Sequence, residues 1–83
     1  MSNVTIYSTN NCPYCIKAKM LLQKKEAQYK EIDVSDDAER EKMTEKAGGK
    51  RSVPQIFIND KHVGGCDELY ELENKGELDG LLA

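Results

Sequence analysis

The sequence predicts an α/β domain whose elements follow in the order β-α-β-α-β-β-α. Short runs rich in β-branched and aromatic residues, such as Val4–Tyr7 and Gln55–Ile58, are typical of buried strands. Between them lie two longer stretches with apolar residues at helical spacing, which predict helices. Because 83 residues leave no room for a second core, we expect residues 1–83 to form a single domain.

In the first half of the chain, the strand Val4–Tyr7 leads through a polar turn to a helix that ends at about Lys25. Apolar residues recur along this helix, with Ile16 four positions before Met20. We assign three of its side chains to the core: Met20, Leu21 and Leu22. A second strand over Tyr29–Val34 is predicted to pair in parallel with the first, because the intervening helix is long enough for a crossover.

The second predicted helix, Asp37–Lys46, is very polar and ends at Gly48-Gly49. Its expected apolar contacts are Ala38, Met43 and Ala47. Gln55–Ile58 and Lys61–Gly64 then predict a hairpin that turns at Asn59-Asp60. A helix starting near Asp67 follows, and a short final helix over Glu77–Leu82 comes after a break at Lys75-Gly76.

The composition argues against several classes of partner and location. A formal net charge of -3 makes a broad nucleic-acid surface unfavourable. No apolar run approaches the roughly 20 residues of a membrane span, and the N-terminus lacks the regions of a signal peptide. Three cysteines are an odd number, which is unusual for a disulfide-stapled secreted domain. We therefore expect a cytoplasmic protein, and we separately expect it to act as a monomer.

The motif Cys12-Pro13-Tyr14-Cys15 lies where the first strand has ended and a helix begins. Proline suits the first helical position, which makes Cys12 the N-cap. Free N–H groups and the helix dipole favour negative charge there, so a sulfur at this position ionises more readily than an ordinary thiol. The thiolate is the nucleophile of disulfide exchange, and Cys15 is close enough to pair with Cys12. The motif thus predicts a redox site.

Three motifs, in their order along the chain, are CPYC, Ser52-Val53-Pro54 and the run Gly64-Gly65-Cys66-Asp67. Together they resemble the motifs of dithiol glutaredoxins of the short bacterial type. The resemblance covers nearly the whole chain. It implies a thioredoxin-like fold in which helices flank a four-stranded mixed sheet.

The resemblance also implies an activity, which is glutathione-dependent reduction of glutathione mixed disulfides and protein disulfides. Cys12 would be the nucleophile and Cys15 the resolving thiol. Glutathione would be the co-substrate, with no bound cofactor, and NADPH would act indirectly through glutathione reductase. Glutathionylated proteins and disulfide-containing enzymes such as ribonucleotide reductase are clients compatible with the family.

A glutathione site is implied as well, with the expected binding residues Tyr14, Ser52, Val53, Pro54, Cys66 and Asp67. The Val53-Pro54 bond is expected to be cis, which would present the Val53 backbone to a peptide-like substrate. Asp67 would meet the γ-glutamyl end of glutathione, beside backbone N–H groups that can hold its carboxylate. Asp67 as the helix cap is the structural alternative.

Two positions depart from the family pattern. Thr9 stands where many glutaredoxins carry a lysine, and Glu41 stands near a position that is polar or basic in the family. Both changes remove positive charge from the expected site, so our hypothesis is a weaker affinity for glutathione.

Three other functions remain open at this stage. One is a zinc site, since the residue types allow a ligand set of Cys12, Cys15, His62 and Cys66. Some glutaredoxins bridge an iron–sulfur cluster between two subunits, although the proline of CPYC disfavours this. Thioredoxin reductase could reduce the protein instead of glutathione.

Cys66, the third cysteine, is expected to be packed and passive, with a regulatory thiol as the alternative.

Overall fold

The computed structural model describes residues 2–83, which form a four-stranded sheet with helices on both faces. The strands and helices alternate as the sequence predicts, and the arrangement is thioredoxin-like. In chain order the elements are β1 (Val4–Ser8), α1 (Pro13–Lys24), β2 (Tyr29–Asp33), α2 (Asp37–Lys46), β3 (Gln55–Ile58), β4 (Lys61–Gly64), α3 (Cys66–Asn74) and α4 (Leu78–Leu82).

The sheet is mixed and has the strand order β2-β1-β3-β4. β1 pairs in parallel with β2, as predicted, and antiparallel with β3. β3 and β4 form the predicted hairpin, and both residues of its turn, Asn59 and Asp60, have positive φ angles of 52° and 66°. Such angles suit the tight turn of a hairpin, whose backbone twist matches that of the flanking strands.

The core has two layers, one on each face of the sheet. On one face, β1 and β3 pack against α1, α3 and α4 through buried aliphatic side chains, among them Ile6, Leu22 and Leu69. On the other face, Met43 of α2 packs with Tyr7 and Phe57. α1 and α3, whose first residues carry the predicted site, thus share one layer, and their N-termini can lie side by side.

The rotation of α1 differs from the prediction. Met20 was assigned to the core, but 61% of its surface is exposed, and Ile16 is 50% exposed. The buried stripe consists of Cys15, Ala18, Leu21 and Leu22. In a helix of 3.6 residues per turn, Ile16 and Met20 fall on the face opposite that stripe.

Ala38, which was expected to contact the core, is also exposed, whereas Met43 and Ala47 are buried. Ala38 lies in the first turn of α2, whereas Met43 lies in the C-terminal half of this helix and Ala47 directly follows it.

Within residues 2–83, no helix combines the length and apolar character needed to cross a membrane.

Candidate functional site

The first cysteine of the CPYC motif is the N-cap of α1, as the sequence predicts. Cys12 has an extended backbone, and Pro13 is the first helical residue. The Cys12 sulfur accepts a hydrogen bond from the Cys15 backbone N–H at 3.2 Å. Its thiol donates a weak hydrogen bond to the Val53 carbonyl oxygen at 3.7 Å. The N–H group stabilises a negative charge on sulfur, so this position suits a thiolate nucleophile.

The second cysteine has a different environment. Cys15 is fully buried, while Cys12 is partly exposed. Burial, followed by the hydrogen bond and the charge of Cys12, raises the pKa of the Cys15 thiol to about 12, although the Thr9 backbone and Lys19 oppose the rise. At neutral pH Cys15 therefore keeps its proton, and it is shielded from solvent, whereas Cys12 is partly exposed.

The segment before β3 lies against the nucleophile. The Val53-Pro54 peptide bond is cis, as expected. The Val53 carbonyl oxygen accepts the hydrogen bond from the Cys12 thiol, so this segment is in direct contact with the start of α1. Pro54 is buried, whereas Ser52 is exposed and Val53 is partly exposed. Arg40 of α2 also contacts this segment: its Nε donates a hydrogen bond to the Arg51 carbonyl oxygen at 2.9 Å.

The third motif forms the start of α3. Gly65 is the N-cap and Cys66 the first helical residue, so Asp67 does not cap this helix. The capping group is instead the carboxylate of Glu68, whose Oε1 accepts a hydrogen bond from the Gly65 N–H at 2.6 Å. Asp67 is exposed and remains available to a ligand. An acidic residue three positions after a helix cap is a known capping pattern, and this signal could have identified Glu68.

These three segments enclose a cavity of about 180 Å³. Its lining comprises Tyr14, Ser52, Val53, Pro54, Gly65, Cys66, Asp67 and Glu68. All six residues that the sequence predicted as a glutathione site are among them, and Gly65 and Glu68 are additions. Tyr14 is 60% exposed and stands at the mouth of the cavity. Thr9 and Glu41 do not line it.

Cys66 faces the cavity but is poorly accessible. Its surface is 4% exposed. Burial raises the pKa of its thiol, and the positive charge of Lys17 opposes this effect. A buried, protonated thiol is a weak nucleophile, which agrees with the expectation of a packed residue.

The four side chains of the hypothetical zinc set do not come together. His62 Nε2 lies 2.6 Å from Gln55 Oε1, on the hairpin. Across residues 2–83 there is no group of three or more histidine, cysteine, aspartate or glutamate side chains arranged to hold a metal ion.

Sequence reasoning missed Gln55, the buried partner of His62, which also donates hydrogen bonds to Ser52.

Comparisons with known proteins agree with this geometry. The glutaredoxin family model matches residues 4–63. Glutaredoxin 1 of Rickettsia prowazekii (strain Madrid E) is 55% identical over 84 residues, covering 99% of this chain and 88% of the relative. Glutaredoxin 3 of Escherichia coli (strain K12) is 45% identical over 82 residues, with 99% of each chain covered.

Among solved structures, a buckwheat glutaredoxin–glutathione complex superposes with a TM-score of 0.89 at 32% sequence identity, covering 98% of this chain and 76% of that one. Fold, motifs and relatives support a thiol–disulfide oxidoreductase. The chain belongs to the glutaredoxin family.

Proposed function

We propose that the protein reduces glutathione mixed disulfides and protein disulfides, with Cys12 as the nucleophile, Cys15 as the resolving thiol and glutathione as the co-substrate. The observation that carries this proposal is the unequal pair of thiols beside the cavity. Cys12 is partly exposed and receives an N–H hydrogen bond, whereas Cys15 is buried and its pKa is raised to about 12. The solved complex of a related glutaredoxin with glutathione supports the choice of co-substrate.

On a glutathione mixed disulfide, the Cys12 thiolate attacks the glutathione sulfur and breaks the disulfide. The client leaves as a thiolate, which takes up a proton, and Cys12 remains bonded to glutathione. A second glutathione thiolate attacks the sulfur of the bound glutathione, which yields oxidised glutathione and restores the Cys12 thiolate. NADPH reduces oxidised glutathione through glutathione reductase, so it never needs to bind this chain.

On a protein disulfide, Cys12 attacks first and Cys15 resolves. Two of the effects that raise the pKa of the Cys15 thiol, a hydrogen bond and a charge, come from Cys12. Once the Cys12 sulfur is in a mixed disulfide, its charge is lost and its hydrogen bond is weakened, so Cys15 ionises more readily at that stage. Its attack on the Cys12 sulfur releases the client thiolate and leaves an intramolecular bridge, which two glutathione molecules then reduce.

For the cavity, we propose that its six predicted residues bind glutathione, with Asp67 facing the γ-glutamyl ammonium group. The clients would be glutathionylated proteins and disulfide-containing enzymes, among which ribonucleotide reductase is one candidate. The odd number of cysteines and the CPYC motif favour a reducing cytoplasm as the place of action.

The test is an NADPH-coupled assay with glutathione, glutathione reductase and a small glutathione mixed disulfide. We expect wild type and Cys15→Ser to be active and Cys12→Ser to be inactive. With a protein disulfide, Cys15→Ser should lose activity because nothing resolves the intermediate. If wild type is inactive here but works with thioredoxin reductase, the glutathione site is wrong and the oxidoreductase assignment survives.

A further inference from the structure

α1 carries an exposed apolar stripe that starts next to the nucleophile. Pro13, Ile16 and Met20 are spaced at i, i+3 and i+7, so they share one face of the helix. All three are exposed, Ile16 by 50% and Met20 by 61%. Scattered single apolar residues need no explanation, whereas larger exposed apolar patches mark interaction surfaces.

Met20 also borders a groove of about 440 Å³ between α1 and α3, whose lining comprises Met20, Leu21, Lys24, Tyr70, Glu73 and Asn74. The aromatic wall of this groove is held in place at two points. The Tyr70 hydroxyl donates a hydrogen bond to the Lys17 carbonyl oxygen at 3.3 Å, and the Lys17 ammonium lies 4.9 Å from the centre of the Tyr70 ring. The groove thus has a fixed apolar wall without a ligand.

The groove lining carries two charged side chains, Lys24 and Glu73, which differ in their partners. Glu73 pairs with Lys25, with 2.7 Å between Oε1 and Nζ, and Lys25 also pairs with Asp79 at 2.9 Å. Lys24 makes no ion pair with a carboxylate among residues 2–83. An apolar groove with one unpaired ammonium fits a segment that carries an apolar side chain and a carboxylate.

We propose that this α1–α3 groove docks the polypeptide that flanks the reactive disulfide of a protein client. An apolar client side chain packs between Met20 and Tyr70, and a client carboxylate pairs with Lys24. This inference rests on the proposed function, because the client's disulfide must reach Cys12 while its chain follows α1.

Helix geometry sets the spacing in the client. At about 1.5 Å per residue, Met20 lies about 10 Å along α1 from Pro13 and Lys24 about 16 Å. An extended client chain advances about 3.3 Å per residue. The apolar residue should therefore stand about three positions from the client's cysteine, and the acidic residue about five.

Three peptides built on this spacing test the two contacts as glutathione mixed disulfides. The first has one cysteine, leucine three positions away on both sides and glutamate five positions away on both sides. The second replaces both leucines by serine, and the third replaces both glutamates by lysine. The readout is kcat/KM for each peptide with wild type, Met20→Glu, Lys24→Glu and the matched control Ala38→Glu, which places the same charge on the exposed start of α2.

We expect wild type to prefer the first peptide over each of the others by about fivefold, a modest interface contribution. Met20→Glu should abolish the preference for leucine. Lys24→Glu should reverse the preference for glutamate over lysine. Ala38→Glu should keep both preferences. Equal kcat/KM values for the three peptides with wild type would overturn the proposal, as would both preferences surviving in Met20→Glu and Lys24→Glu.

A binding measurement separates this inference from the proposed function. The same peptides with S-methylated cysteine are titrated against wild type, and the Met20 methyl resonance is followed by NMR. The leucine peptide should shift it and the serine peptide should not. A shift without turnover of any mixed disulfide would contradict the proposed function alone. The absence of a shift, or a Met20-dependent dimer of this chain, would overturn the groove.

Discussion

His62 Nε2 lies 2.6 Å from the side-chain oxygen of Gln55, and a glutamine oxygen only accepts hydrogen bonds, so the histidine is the donor. At its other end, the Gln55 amide donates to the Ser52 carbonyl oxygen at 2.9 Å and to the Ser52 hydroxyl at 3.2 Å. Gln55 is 1% exposed. A buried amide thus connects the edge strand β4 with the segment that lines the cavity.

Replacing this amide by a side chain of similar size should disturb both stability and substrate binding. Gln55→Leu removes the hydrogen bonds of this amide to Ser52 and His62, and a typical hydrogen bond contributes about 0.5–1.5 kcal/mol to stability. We expect a decrease of about that size in the free energy of unfolding and a raised KM for a glutathione mixed disulfide. Chemical denaturation and steady-state kinetics check the two effects.

His62→Ala provides the matched control for Gln55→Leu. His62 is exposed and the variant keeps the hydrogen bonds between Gln55 and Ser52, so KM should change less. Equal KM values for wild type and Gln55→Leu would contradict a positioning role for this amide.

The raised pKa of the Cys15 thiol predicts a pH-dependent stability. An unfolded thiol loses its proton at about pH 8.5, whereas the folded protein holds the Cys15 proton up to about pH 12. Between these values the folded state binds more protons, so the free energy of unfolding falls as pH rises, by at most about 1.4 kcal/mol per pH unit for one proton. Below about pH 8 this loss is absent.

Denaturation of wild type and Cys15→Ala from pH 7 to 10.5 tests this prediction. The decline above pH 8.5 should be shallower in Cys15→Ala, while Cys66 and the lysines contribute alike to both proteins. Parallel curves would refute the assignment of the pH effect to Cys15.

The cavity lining predicts that Thr9→Lys improves glutathione binding. Of the eight residues that line the cavity, Asp67 and Glu68 are acidic and none is basic. A lysine just before the nucleophile would attract the negative charge of glutathione, so its KM should fall a few-fold, and less so at high salt. Thr9→Gln, which adds length without charge, is the control. An unchanged KM in Thr9→Lys would reject the hypothesis that Thr9 weakens affinity.

Gly64 leaves room for the carboxylate that caps α3. Its φ angle is 123°, and a Cβ there would lie 2.8 Å from both Cγ and Oε1 of Glu68. Gly64→Ala should therefore displace Glu68 from the Gly65 N–H, reduce stability by about 1–3 kcal/mol and change KM.

Gly76→Ala separates these two causes. Gly76 also has a positive φ, of 72°, but an added Cβ meets nothing within 4 Å. This variant should lose stability through backbone conformation alone and keep its KM. A KM that changes equally in both variants would argue against the contact with Glu68.

Local patterns were sufficient to predict most of the fold. Strand runs such as Gln55–Ile58, the Asn59-Asp60 turn and the proline after Cys12 each act over a few residues, and the structure follows them closely. The cis Val53-Pro54 bond came from the family resemblance, whereas the contact of Val53 with Cys12, which joins segments 41 positions apart, emerged only from the structure.

The missed features depend on tertiary packing. Ile16 and Met20 have the same spacing as a buried stripe, and periodicity cannot say which of two apolar stripes faces the sheet. The role of Gln55 depends on the hairpin register, which shifts between Ile56 and Phe57 and sets His62 opposite Phe57. Because alternate residues share a face, Gln55 then lies on the same side as Phe57, within reach of the histidine.

The cavity is built where two elements anchored in the core, β3 and α3, begin. All four residues of β3 are buried, and α3 is anchored by the fully buried Leu69. The walls of the cavity are therefore preorganised, and ligand binding costs little free energy for ordering the protein. Affinity should then reflect the ligand's own flexibility, so a rigid analogue with the same charges should bind more tightly than a flexible peptide.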